Sequence, residues 1–206
     1  MDKPKDWWGN SKNAKEWIEQ GKKRTKGEGV NTTSESTNIV VDEISKNIRS
    51  FKTILEVGAG DGRLIGPLSK KYPKKEFQSA DINNDLCIYI SKKYCNVVVN
   101  YLEEGVIDLS LFPDNYFDLV YTYQVLQHVH PDEIEKALEE LQRVSKKEVW
   151  LWEGIGREDY EHGAMVHKAH NGSWVWKIDE MVKCEVNIPK NDKIELSRQR
   201  LYKIKK

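Results

Sequence analysis

The chain is poor in the features that mark several protein classes. It has three cysteines in 206 residues, Cys87, Cys95 and Cys184, and no CxxC pair. A disulfide framework or a four-thiolate metal site is therefore excluded, and the reading is of a reduced, cytoplasmic setting. No stretch approaches the roughly 18 apolar residues of a membrane span, and Met1-Asp-Lys-Pro-Lys-Asp-Trp-Trp lacks the apolar core of a secretory signal. There is no excess charge of either sign: 33 Lys and Arg balance 33 Asp and Glu. That balance argues against a dedicated nucleic-acid scaffold, which carries a basic excess. With 38% apolar residues the chain is not of the disordered class, and its length suits one domain with a small extension.

Tryptophan is abundant by contrast. Seven are present, at 7, 8 and 17 and again at 150, 152, 174 and 176. Residues 1–36 are polar, with Ala14, Trp17, Ile18 and Gly21 at helical spacing, and Lys22–Gly29 reads as a loop. Val41, Ile44 and Ile48 mark a further helix. Short apolar runs then follow at Thr53–Val57, Phe77–Ala80, Val97–Tyr101, Phe117–Tyr123 and Glu148–Trp152. Amphipathic stretches separate them, with Pro67 expected to kink the first and Pro131 to start the last. This alternation predicts βαβ units and a mostly parallel sheet with helices on both faces. Val182, Cys184, Val186 and Ile188 alternate with polar residues, and Ile194–Ile204 reads as a returning strand with a bulge after Leu196. The expected fold is thus α/β, Rossmann-like, ending in an antiparallel hairpin.

The strongest chemical signal is Ile54-Leu-Glu-Val-Gly58-Ala-Gly60-Asp-Gly62-Arg-Leu64. An apolar strand runs into three alternating glycines and then a helix, so a ligand can approach the main chain closely. Nineteen residues after Gly62, Asp81 closes the next apolar run, where a carboxylate can take both hydroxyls of a ribose. The glycines form GxGxG, and Arg63 stands where a dinucleotide site has its third glycine. Glu56 beside the loop disfavours a pyrophosphate and suits a ligand with an ammonium group.

These motifs resemble those of the class I S-adenosylmethionine-dependent methyltransferases, over most of residues 38–204. Glu56-x-Gly58-x-Gly60-x-Gly62 and Asp81-Ile82 are similar to that family's first two motifs. Phe112–Val120 through Val125–Val129 is similar to the fourth-strand signature of its small-molecule branch, and the C-terminal hairpin to its reversed seventh strand. The resemblance implies a seven-stranded sheet and S-adenosyl-L-methionine as cofactor. Gly58, Ala59, Gly60 and Gly62 would pass beneath the methionine and ribose, with Glu56 near the amino group, Asp81 on the ribose and Ile82 on adenine. Asp108 is the candidate for the adenine amino group, and Tyr123 and Gln124 would face the reacting methyl. It also implies two parts: 1–36 as a helical arm or lid, and 37–206 as the cofactor-binding domain with 154–181 as an acceptor-pocket insert.

On the acceptor side the candidates are His128, Glu153, His162, His167 and His170. His128 reads either as a general base or as a backbone-bonded histidine at a helix start, and Glu153 either as a pocket carboxylate or as a structural cap. His162-x4-His167-x2-His170 matches no zinc pattern and no cysteines support it, so no metal is expected. The arm's tryptophans either close over the cofactor or staple the arm to the body. The expected reaction is methyl transfer to an oxygen or nitrogen of a small molecule or sugar. Two alternatives stand beside it: an RNA or protein acceptor held by the basic tail after Pro189, and a non-catalytic binding module.

Overall fold

The computed structural model describes residues 4–25, 34–154, 161–167, 172–187 and 199–206. Its centre is a sheet of β1 (Thr53–Val57), β2 (Glu76–Asp81), β3 (Val97–Tyr101), β4 (Phe117–Tyr123), β5 (Ser145–Gly154), β8 (Glu185–Asn187) and β9 (Gln199–Lys205), in the order β3-β2-β1-β4-β5-β9-β8. The first five strands are parallel, and β9 runs antiparallel to both β5 and β8. The five apolar runs thus become the five parallel strands. β1 and β4 are buried almost throughout, as strands covered on both faces must be.

Helices α3 (Ser34–Asn47), α4 (Ile65–Lys71) and α5 (Asn84–Lys93) cover one face, burying Ile44, Leu68 and Ile90 against Ile54, Phe77 and Tyr121. On the other face, α6 (Ile134–Val144) buries Ala137, Leu138 and Leu141 against Val120, Val149 and Leu151. The alternation of side chains along each strand sends one set to each core.

Before the sheet stand α1 (Pro4–Trp8) and α2 (Ser11–Thr25). α2 continues through Lys22–Thr25, where the sequence reads as a loop, because lysine and arginine are good helix formers. Pro67 causes no kink: α4 starts only at Ile65, so Pro67 stands in the first turn, where its missing N–H has no helical partner. After β5 come β6 (Met165–His167) and β7 (Ser173–Trp174), which pair with each other, and then α7 (Ile178–Met181). The expected strand over Val182–Ile188 shrinks to β8. Val182 and Cys184 pack on the core instead, and Ile188 lies outside the described residues. Register runs unbroken from Gln199 to Lys205 along β5; the region of the expected bulge lies outside the described residues. No helix among the described residues is long and apolar enough to cross a membrane.

Candidate active site

The carboxyl ends of β1, β2 and β4 open onto one cavity, and the arm roofs it. Its lining includes Glu56, Gly58–Asp61, Arg63, Asp81, Ile82, Gly105–Ile107, Tyr123–Val125, Gln127 and His128, with Trp8 and Trp17 from above. Open α/β sheets bind ligands at this edge, where strand order reverses, here between β1 and β4.

The glycine loop fixes the floor. Gly58 and Gly60 have φ of 74° and 56°, a region that costs a side chain, and neither has room for one. A Cβ on Gly58 would lie 2.3 Å from the Val125 side chain, and one on Gly60 would lie 2.9 Å from the Trp17 indole nitrogen. Gly62 faces away from the cavity and packs against Ile90 of α5 and Tyr94 just past its end.

Two buried carboxylates flank the loop. Asp81 accepts from the N–H groups of Gly60 (2.8 Å) and Asn83 (2.9 Å), and a carboxylate has acceptor capacity beyond two such bonds. Burial pushes its carboxyl up, and the backbone N–H groups oppose that shift. Glu56 accepts from Ile65 N–H and the Tyr121 hydroxyl, both at 3.0 Å. Burial outweighs these bonds and the Arg63 charge, so its carboxyl is pushed up to about 8. A cationic group placed beside Glu56 would therefore be stabilised and would restore its charge. The floor, the two carboxylates and the apolar side chains of Ile82 and Val106 together fit a nucleoside carrying an amino-acid head.

Asp108 does not reach this cavity. It lies past the turn Gly105–Ile107 and is exposed, and hydrogen bonds from the Ser110 hydroxyl and from Ser110 N–H pull its carboxyl down. The turn itself, with Glu104 before it, supplies that wall. The sequence gives no spacing rule for a wall made of turn backbone.

The loop after β4 forms a further wall of the cavity. Gln124 has a φ of 57°, unusual for a residue with a side chain. The loop is held from behind by Glu153, whose carboxylate accepts from the Thr122 hydroxyl (3.0 Å), Val125 N–H (3.2 Å) and Gln127 N–H (3.4 Å). Burial pushes Glu153 up to about 7, against these bonds. It is fully buried and does not line the cavity, so its place is that of a structural anchor. His128 does line the cavity. Its Nδ1 lies 3.4 Å from the Gly172 carbonyl and 3.2 Å from the Ser173 hydroxyl, and its ring packs 4.6 Å from that of Trp8.

The other histidines are elsewhere. His162 is exposed, accepts from Lys177 N–H at 3.2 Å, and packs on Trp176. The backbone of His167 pairs with Ser173 in the small sheet; its side chain, like all of His170 and Tyr160, lies outside the described residues. Among the described residues no group of three His, Cys, Asp or Glu could hold a metal ion.

Asn83 was not legible as a site residue. Its side-chain oxygen caps α5 through Asp85 and Leu86 N–H, while its amide nitrogen donates to the carbonyls of Trp8 (2.7 Å) and Asn10 (3.1 Å). One residue thus ties the arm to the end of β2. Lys5 pairs with Glu104 on the facing side.

Residues 55–152 match the family model described as a methyltransferase domain. No curated protein matches the chain. Among solved structures, the chain is similar to the 1,6-didemethyltoxoflavin-N1-methyltransferase of Burkholderia thailandensis. Identity is 13% over 96% of this chain and 90% of that one, with a TM-score of 0.63. It is also similar to the magnesium protoporphyrin IX methyltransferase of Synechocystis PCC 6803, solved with bound SAM. Here identity is 16%, coverage 83% and 78%, and the TM-score 0.58. An O-methyltransferase family protein of Burkholderia thailandensis is 14% identical over 81% of this chain and 55% of that one, with a TM-score of 0.60. At these identities the likeness is one of fold.

Proposed function

We propose that this chain, whose residues 55–152 match a methyltransferase domain, is a class I S-adenosylmethionine-dependent methyltransferase acting on an oxygen or nitrogen of a small molecule. The cofactor is S-adenosyl-L-methionine, which supplies a sulfonium-bound methyl group. When bound, its ribose hydroxyls would be held by Asp81, its adenine would lie between Ile82 and Val106, and its amino group would lie near Glu56. Tyr123 and Gln124 line the same cavity and would face the methyl side of the cofactor. Displacement at a methyl carbon needs the nucleophile held in line with sulfur in a pocket shielded from water.

The observation that carries the small-molecule reading is the roof. Trp8 and Trp17 stand over the glycine loop, so aromatic side chains of the arm wall the cavity opposite the sheet edge. Three lysines of the basic tail are paired among the described residues: Lys203 with Glu43, Lys205 with Glu185, and Lys206, which donates to the carbonyls of Gln142 and Ser145. His128 is the candidate general base. With its proton on Nδ1, donated to the Gly172 carbonyl, Nε2 is the basic nitrogen for the proton that an acceptor hydroxyl or ammonium must lose.

Calorimetry with S-adenosylhomocysteine tests the cofactor site, and transfer of a labelled methyl to a small-molecule extract, followed by mass spectrometry, tests the acceptor class. Labelling confined to RNA or protein would overturn the small-molecule reading.

A further inference from the structure

The segment after β5 grips the loop after β4 at three alternate positions. The Trp176 indole donates to the Leu126 carbonyl, Gly172 and Ser173 meet the His128 ring, and the Trp174 ring packs edge-on to that of His130 at 5.5 Å. None of the described residues of the segment lines the cavity, whereas His128 does. The segment meets the cavity wall at His128, from the side opposite to its contact with the reacting groups. The middle grip is a built one. Gly172 has a φ of 124°, a region that glycine alone adopts readily, and a Cβ there would lie 2.5 Å from the Trp174 ring. Trp174 belongs to the core, and Ser173 is buried in β7, where its backbone pairs with that of His167. The Gly172 carbonyl and the Ser173 hydroxyl are thus anchored on the sheet domain, 3.4 and 3.2 Å from a single atom, His128 Nδ1.

The chemistry of these two oxygens decides where the imidazole carries its proton. A carbonyl oxygen can only accept, and a hydroxyl oxygen can accept as well, so a proton on Nδ1 satisfies both. The bond made by one ring nitrogen fixes the state of the other, and Nε2 is then the nitrogen with a lone pair. When Nε2 takes up a proton, Nδ1 keeps its own, and the two oxygens facing it accept a charge-assisted bond from the imidazolium.

Resting on the reading of His128 as the general base, we propose that Ser173, with the Gly172 carbonyl, is a positioning residue that holds His128 in the tautomer able to deprotonate the acceptor. As the acceptor's oxygen or nitrogen bonds to the methyl carbon, the carbon–sulfur electron pair stays on sulfur and the acceptor's proton passes to Nε2. The described part of the segment thus serves the reaction by placing a proton on the loop it holds.

The test is nitrogen-15 NMR of the S-adenosylhomocysteine complex at a pH of about 9, well above the ordinary histidine value. The His128 signals are assigned by their loss in His128→Gln. In the wild type Nδ1 is expected to carry the proton and Nε2 none. Ser173→Ala is expected to raise the share of the Nε2–H tautomer severalfold, and Ser173→Thr, which keeps the hydroxyl, to restore the wild-type state. A wild-type His128 protonated on Nε2, with Nδ1 accepting from the Ser173 hydroxyl, overturns the proposal, as does a tautomer that Ser173→Ala leaves unchanged. The wild-type signal decides the matter even if Ser173→Ala fails to fold. A second readout is transfer of labelled methyl to a small-molecule extract. Ser173→Ala is expected to slow it about tenfold, part of the factor of about 10²–10⁴ that a positioned base supplies, and an unchanged rate overturns the proposal. Failure of the parent reading shows differently: His128→Gln would transfer methyl as fast as the wild type although the wild-type tautomer is the expected one, and the inference would fall with the base.

Discussion

Three of the seven tryptophans stand in the arm and two, Trp174 and Trp176, in the segment after β5, and the two regions use them in opposite ways. Trp174 and Trp176 are 4% and 3% exposed and belong to the core under α6, where the Trp176 indole donates to the Leu126 carbonyl at 2.7 Å. None of the described residues of that segment lines the cavity. Trp8 and Trp17 are half-buried, line the cavity, and are held by side chain-to-backbone bonds from Asn83 and by the close approach of Gly21 to Asp61. The loop Gln124–His128 is gripped between the two: the core tryptophan holds Leu126 and the arm tryptophan rests on His128. The comparison shows that an indole's role follows from what lies beneath it. Over the sheet's face it is core; over its carboxyl edge it is a wall of the site.

The sharpest way to break this contrast is Trp176→Ala. Truncating a buried tryptophan is expected to cost about 3–5 kcal/mol, read as a lower urea midpoint with unchanged slope. A loss below 1 kcal/mol would remove the segment from the core. Asp81→Ala comes next: losing hydrogen bonds to a charged group, about 1.5–3 kcal/mol, should weaken S-adenosylhomocysteine roughly tenfold to a hundredfold in calorimetry. An unchanged affinity would displace the cofactor site.

Asn83→Ala acts on the arm. It removes the α5 cap, worth about 1 kcal/mol, and the two bonds to the arm's backbone. Faster amide exchange across residues 4–10, with β1 and β4 still protected, is the expected result. Uniform exchange changes would mean that the arm is not separately held. Trp17→Ala should shift stability by less than about 1 kcal/mol yet speed release of S-adenosylhomocysteine in stopped flow.

A separate expectation concerns pH. Glu56 and Glu153 are raised from an ordinary 4.5 to about 8 and about 7 in the folded chain. Each therefore binds its proton more tightly folded than unfolded. Their contribution to stability is full below 4.5 and is lost as pH rises through 7 to 8. Melting temperatures of the cofactor-free protein should show this decline, and Glu153→Gln should flatten its lower part. A Glu153→Gln profile parallel to the wild type would contradict the buried anchor.

Much of the frame was legible. The five apolar runs mark the parallel strands because strands buried on both faces must be continuously apolar. The glycine loop and Asp81 were legible because their spacing is set by one local βαβ unit. Other positions were not. Asp108 follows the right strand, but a turn at Gly105 carries it outward. Gly62 continues the glycine pattern yet serves helix packing. Glu153 reads equally as a pocket carboxylate or an anchor until Thr122 and the Val125–Gln127 backbone are seen to surround it.

The amino-acid sequence by itself determined the succession of strands and helices in the sheet domain and the glycine loop with its acidic partner, since these rest on periodicity and short spacings. Tertiary structure alone decided which tryptophans form the roof, which carboxylate is an anchor, and how Gly172 and Ser173 come to the imidazole of His128. Those two residues lie 44 and 45 positions along the chain from His128, and only the packing of the segment after β5 on the loop after β4 brings them to it.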